Sequence, residues 1–133
     1  MVPSLEVVLA ELEVPRSSLP FSPAVRAGEF VLVSGQASVD FAGRIVTDSF
    51  EGEMRRSIAN VSAILASVGM NLNDVIQVRS YLGREEDVAE YNRIYREYFK
   101  DPLPARTTLA GVLGKALKFE LDVMAYPGGP VAI

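Results

Sequence analysis

The chain has 133 residues, 49% of them hydrophobic and 23% charged, with a formal net charge of −4. That is enough for one domain with its own core, and the acidic balance speaks against a nucleic-acid-binding face. Histidine and cysteine are both absent, which removes the commonest general base, the thiolate nucleophile and nearly all zinc chemistry.

No apolar run approaches the length of a bilayer span. The N-terminal stretch carries Glu6 and Glu11 and lacks the basic leader of a signal peptide. A chain without cysteine fits a reducing compartment. The expectation is one cytoplasmic domain over residues 1–133, with no membrane and no nucleic acid as partner.

In chain order, Leu5 to Leu12 reads as a short strand bounded by Pro15, followed by a turn-rich connector from Arg16 to Pro23. Ala24 to Ala27, Gly28-Glu29 and Phe30 to Val33 read as strand, tight turn, strand. The second strand is apolar at every position, as expected for one covered on both faces. Asp48 reads as a helix cap with Glu51 three residues on. Phe50, Met54, Ile58, Val61, Leu65 and Val68 then form one helical stripe that stops near Gly69. Asp74 to Leu82 alternates, with Ile76, Val78, Ser80 and Leu82 on one side and Gln77, Arg79 and Tyr81 on the other. Glu85-Glu86-Asp87 opens a second helix and suits the positive end of its dipole. Val88, Tyr91, Tyr95 and Tyr98 are its stripe, and Pro102 and Pro104 stop it. Ala105 to Val112 and Leu117 to Tyr126 read as two strands joined by a tight turn at Gly114-Lys115.

The order ββ(β)αβαββ predicts an α+β domain, a mixed or antiparallel sheet with both helices packed on one face. The other face is expected to carry Arg106, Thr108, Glu120 and several apolar groups. A face of that mixed character is commonly covered by another chain, so a homo-oligomer is expected.

Without histidine or cysteine, chemistry falls to Arg, Asp/Glu, Lys, Tyr, Ser/Thr, backbone amides and water. Arg106, in Asp101-Pro102-Leu103-Pro104-Ala105-Arg106, stands at a strand start that prolines approach. Its planar fork matches a carboxylate, although an ordinary Arg there caps the preceding helix or pairs with Asp101 or Glu120. Glu120 is a candidate for managing a water, against the plainer reading of a solvated carboxylate between Lys118 and Asp122. With the turn at Gly114-Lys115, Glu120 would lie opposite residue 109, about 10 Å along the strand from Arg106. A one-residue slip would change the face of either. The pair therefore need not meet within one chain, and a site shared between chains stays open. Ser34-Gly35 ends the apolar strand, as a plain turn or as a close backbone approach to a ligand. Asn92, a weak helix former inside a helix, is incidental unless its amide faces a partner. Tyr91, Tyr95, Tyr98 and Phe99 read as core, and Arg55-Arg56 as a solvated pair. Gly111 to Lys115 has the wrong spacing for a phosphate loop.

Taken together these segments resemble the RidA (YjgF) family. The match runs through Pro20 to Gly28, Val33-Ser34-Gly35-Gln36, Asn60 with Leu65 and Gly69, Asp74-Val75, and Asn92 to Tyr95 with Phe99. It closes with Pro104-Ala105-Arg106 and Lys118-Phe119-Glu120-Leu121, so that it spans residues 20–126. The resemblance implies a chorismate-mutase-like domain in a homotrimer, with sites in clefts between subunits. It implies hydrolysis of 2-aminoacrylate and related 2-imino acids to 2-keto acids and ammonia, without metal or organic cofactor. Arg106 would hold the substrate carboxylate, and backbone at Gly35 and Thr108 would add hydrogen bonds. Glu120 would position or activate water, and Ser34 and Asn92 would shape the cleft.

Three positions depart from the family pattern. Phe21 stands where many members carry Tyr, Thr108 where a Cys is frequent, and Leu113-Gly114 where Leu-Pro is common. Phe21 would favour a larger or more hydrophobic imine. Alternatives are a non-catalytic, regulatory trimer that binds small carboxylates, and a pathway-specific deaminase for an aminomuconate-like substrate. A ribonuclease-like activity is disfavoured by the acidic charge and the missing histidine.

Overall fold

The computed structural model describes Pro15 and residues 17–133. The strand expected over Leu5 to Leu12 lies outside the described residues. Five strands, β1 (Ala24–Ala27), β2 (Phe30–Ala37), β3 (Val75–Leu82), β4 (Ala105–Ala110) and β5 (Phe119–Ala125), form one sheet in the order β1-β2-β5-β3-β4. All neighbours are antiparallel except β3 and β4, which run parallel. Two helices, α1 (Phe50–Ala66) and α2 (Val88–Tyr98), pack on one face of this sheet. The mixed α+β architecture expected from the sequence is the one observed.

The core lies between sheet and helices. Met54, Ile58, Val61 and Leu65 of α1 and Tyr91, Ile94 and Tyr95 of α2 close over Val31, Val33, Val78, Leu82, Leu121 and Val123. Residues that alternate along a strand go to opposite faces, so Phe30 and Leu32 point the other way and are 40% and 36% exposed. Residues 30–33 of β2 are thus all apolar but covered on one face only within a single chain. Where β2 meets β5 the register shifts between Val33 and Gln36, a bulge at Ser34-Gly35.

The helix cap is Ser49 and not Asp48. Ser49 has extended backbone and its side chain accepts from the Gly52 amide at 3.1 Å. The Ser49 amide donates to Asp48 Oδ1 at 2.7 Å, and it is Glu53 rather than Glu51 that accepts from the Asp48 amide, at 3.2 Å. Ile76 also departs from its expected side. The β3–β5 register shifts between Val75 and Gln77, so Val75 takes the core position and Ile76 is half-buried. The Arg55-Arg56 pair is not simply solvated. Arg55 bridges the helices by bonding Glu51, Glu97 and Tyr98, and Arg56 bonds the Ser38 hydroxyl and Asp48.

The largest correction concerns the last two strands. They are not a hairpin, because β3 lies between β4 and β5. The unit β3-α2-β4 returns the chain parallel to β3 on its free side. Residues 111–118 then pass the end of β3, bonding Gly111 N to Leu82 O and Gly83 N to Lys118 O. Alternation along each strand reports its faces but not its neighbour, and that is why the sequence suggests a hairpin here.

Candidate functional site

The register decides where each predicted residue stands. Arg106 pairs with Val78 and Thr108 with Ser80, both buried, so their side chains lie on the helix face. Glu120 pairs with Tyr81 and lies between the buried Phe119 and Leu121, so it faces the opposite side. The expectation that Arg106, Thr108 and Glu120 share one face is thereby corrected. Arg106 and Glu120 are also separated by the full width of β3, on the order of 10 Å across the sheet.

On the helix face, Arg106 rests against α2. Its guanidinium carbon lies 5.0 Å from the Tyr91 ring centroid and 4.9 Å from that of Tyr95. Its Nη1 donates to Asn92 Oδ1 at 2.9 Å. Cation–π stacking and one hydrogen bond to a neutral amide oxygen fix the fork's orientation without cancelling its charge. Among the described residues, Arg106 has no carboxylate partner. Pairing with Asp101 or Glu120 does not occur, and Asn92 is not incidental.

Thr108 anchors the same wall. Its hydroxyl lies 3.1 Å from Tyr91 Oη, which donates to Ser80 Oγ at 2.8 Å. Tyr95 stacks on Phe99 with centroids 4.5 Å apart, and burial pushes its hydroxyl well above the usual tyrosine range. A depression of about 280 Å³ opens here, lined by Asn92, Tyr95, Arg96, Leu103, Pro104 and Arg106.

On the other face, Phe21, Ser34, Gly35 and Glu120 come together. The Ser34-Gly35 bulge is pinned by Ser34 N to Pro23 O at 2.9 Å and by the Ser34 hydroxyl donating to Ser22 O. A Cβ at Gly35 would sit 2.7 Å from Glu120 Oε1, so a larger residue there would push the carboxylate from the place it takes over β2. Burial, and then the neighbouring Asp122 charge, raise the proton affinity of Glu120 above that of an ordinary carboxylate. Asp122 is itself held by Arg79 Nε and Tyr81 Oη, each at 2.8 Å. Phe21, Ser34, Gly35 and Glu120 border a depression of about 510 Å³.

The predicted residues thus form two separate groups, Arg106 with Asn92 and Thr108, and Phe21 with Ser34, Gly35 and Glu120. Sequence reading missed Tyr91 and Tyr95 as the platform beneath Arg106, whereas Asp122 stands beside Glu120 on the same strand face, as expected. The tyrosines carry the helical spacing of core residues, and only their contacts reveal a second role. Among the described residues no group of His, Cys, Asp or Glu is gathered to hold a metal ion, and no helix is long and apolar enough to cross a membrane.

The family model described as Endoribonuclease L-PSP matches residues 12–127. A RutC family protein of Pyrococcus horikoshii is 37% identical over 123 residues, covering 91% of this chain and 97% of that protein. The chain belongs to the RidA (YjgF) family. A 2-iminobutanoate/2-iminopropanoate deaminase of Mus musculus is 28% identical over 123 residues, 91% of each chain. RidA from an Antarctic Psychrobacter superposes with a TM-score of 0.78 at 27% identity, covering 86% of this chain and 94% of that one. Escherichia coli TdcF with bound serine gives a TM-score of 0.74 at 28% identity, covering 86% and 93%. RidA-family membership thus agrees with the resemblance drawn from the Pro-Ala-Arg and Phe-Glu-Leu segments.

Proposed function

We propose that this protein hydrolyses 2-imino acids and their enamine tautomers to 2-keto acids and ammonia, at a site completed by a second copy of the chain. The observation that carries the reading is Arg106, a rigidly seated guanidinium without a carboxylate partner among the described residues. A small carboxylate ligand would complete it. Deaminase relatives and a related protein with bound serine support the same ligand class.

Arg106 binds the substrate carboxylate through its fork, with the backbone at Thr108 and Gly35 adding donors. The imine carbon is electrophilic already, so orientation and one proton carrier suffice. Glu120 takes a proton from water as the water oxygen bonds to the imine carbon. In the protonated imine the C=N π electrons move to nitrogen, which becomes a neutral amine. Glu120 then gives its proton to that nitrogen, the C–N bond breaks, ammonia leaves, and the hydroxyl returns a proton to the ionised Glu120 to give the keto acid. A carboxyl group with raised proton affinity is suited to both transfers. Each step uses only these residues and water, with no metal or organic cofactor.

Because Arg106 and Glu120 face opposite sides of one sheet, a single chain cannot present both to one substrate. A homotrimer places the Arg106 group of one copy against the Glu120 group of the next, and covers Phe30 and Leu32. A regulatory trimer that only binds small carboxylates would use Arg106 in the same way, so turnover separates the two readings. The test is a coupled assay in which an amino-acid oxidase supplies 2-imino acids and semicarbazide traps what remains. Wild type suppressing semicarbazone formation, and Arg106→Ala failing to do so, is the expected result. Equal trapping with and without wild type for every amino acid would reject the deaminase reading.

A further inference from the structure

Two depressions meet at Phe21, Gly35 and Glu120, and their chemistry differs. The one of about 510 Å³ over the outer sheet face includes Gln77, Arg79 and Asp122. The other, about 290 Å³, has walls of Leu19, Phe21, Val39 and Ile45, and among the described residues Glu120 is the one charged residue that lines it. Leu19, Phe21 and Ile45 are 64%, 46% and 49% exposed. Three large apolar side chains held open to water around one carboxylate are unfavourable unless an apolar group covers them.

This pocket is built before any ligand arrives. Val39 and Ile45 form a bridge across the loop between them. Asp40 Oδ1 accepts from the amides of Ala42 and Arg44 at 2.9 and 3.0 Å, closing that loop. Helix α1 fixes the wall from behind, with Asn60 Nδ2 donating to the carbonyls of Ala37 and Val39, each at 3.1 Å. A wall tied at both ends does not collapse into the space, so little ordering opposes binding.

In the proposed reaction the imine carbon stands beside Glu120 and carries two other substituents. The carboxylate goes to the guanidinium, which leaves the side chain to be placed. We infer that this chain receives that side chain in the pocket of Leu19, Phe21, Val39 and Ile45, and that its preferred substrates are 2-imino acids with branched apolar or aromatic side chains. The inference rests on the deaminase reading and narrows it to a substrate class.

The experiment compares kcat/KM for imino acids generated from leucine, phenylalanine and alanine. The leucine- and phenylalanine-derived imines are expected to exceed the alanine-derived one by about tenfold or more. Leu19→Ser and Ile45→Ser, both at solvent-open positions, are each expected to cut that ratio by about threefold. A ratio at or below one in wild type, or a ratio that neither variant moves, would overturn the pocket while leaving the deaminase reading intact. Absence of turnover with every imine would instead remove the deaminase reading. Calorimetry with 4-methyl-2-oxopentanoate and pyruvate then decides the pocket alone. Tighter binding of the larger acid, lost in Leu19→Ser, supports it, and equal affinities overturn it.

Discussion

A guanidinium stacked on Tyr91 and Tyr95 and bonded to Asn92 is oriented while its charge stays available, which is the condition a carboxylate ligand needs. Replacing it tests ligand binding separately from folding. Arg106→Ala is expected to lower kcat/KM by on the order of a hundredfold or more, with a urea midpoint close to wild type because the guanidinium fills no core space. Arg106→Lys should recover little, since an ammonium lacks the planar fork. At Glu120 the prediction concerns pH. The carboxylate must be ionised to accept the water proton, and its proton affinity is raised by burial and by Asp122. The acid limb of the kcat/KM profile therefore lies above the ordinary glutamate pKa of about 4.3. Asp122→Asn removes one raising charge and is expected to move that limb to lower pH, whereas an unmoved limb would assign it to another group. The same shift has a stability consequence. The folded state binds this proton more tightly than the unfolded chain does, so the ionised form is a liability above the folded pKa that vanishes as pH falls below the unfolded one. Glu120→Gln should accordingly raise Tm at neutral pH while slowing turnover, and the gain should shrink on acidification.

At the scale of elements, the strand that carries Glu120 is aimed by a buried carboxylate on α1. Glu53 is fully buried, and its oxygens accept from Lys118 N at 3.0 Å, Lys118 Nζ at 3.2 Å and Asp48 N at 3.2 Å. This clamp holds Lys118, which immediately precedes β5 and stands two residues before Glu120. Glu53→Ala leaves those donors unsatisfied beside a cavity and is expected to cost about 3 kcal/mol of stability by urea denaturation. Much of this level was legible in the sequence. The stripe Met54, Ile58, Val61, Leu65 and the alternation of Val78, Ser80, Leu82 each report the correct buried face. The β4–β5 pairing was not, since strand order depends on a crossover that periodicity does not encode. The shared face expected for Arg106 and Glu120 was a separate error, because a partner for Glu120 at residue 109 lies three positions from Arg106 and so faces the other way. The residues themselves were legible because a chain without histidine or cysteine leaves few groups able to do the work. Their grouping was not, because it follows from register.

For the whole molecule, the two residue groups and the open apolar face lead to the same expectation. Phe30 and Leu32 cover no core in the single chain, and Arg106 and Glu120 cannot reach one substrate from a single sheet. Light scattering should give a mass three times the 14.5 kDa chain, and Leu32→Glu should lower that mass and abolish turnover together. A monomeric wild type that remains active would require both groups to act within one chain. The most direct measurement is complementation between Arg106→Ala and Glu120→Gln, two variants each expected to have little activity alone. Co-expressed in equal amounts, they form mixed trimers in which about a quarter of the interfaces join an intact Arg106 to an intact Glu120. The account predicts that the mixture regains roughly that fraction of wild-type kcat. Activity no greater than that of the separate variants, in trimers shown to be mixed, would contradict a site shared between copies.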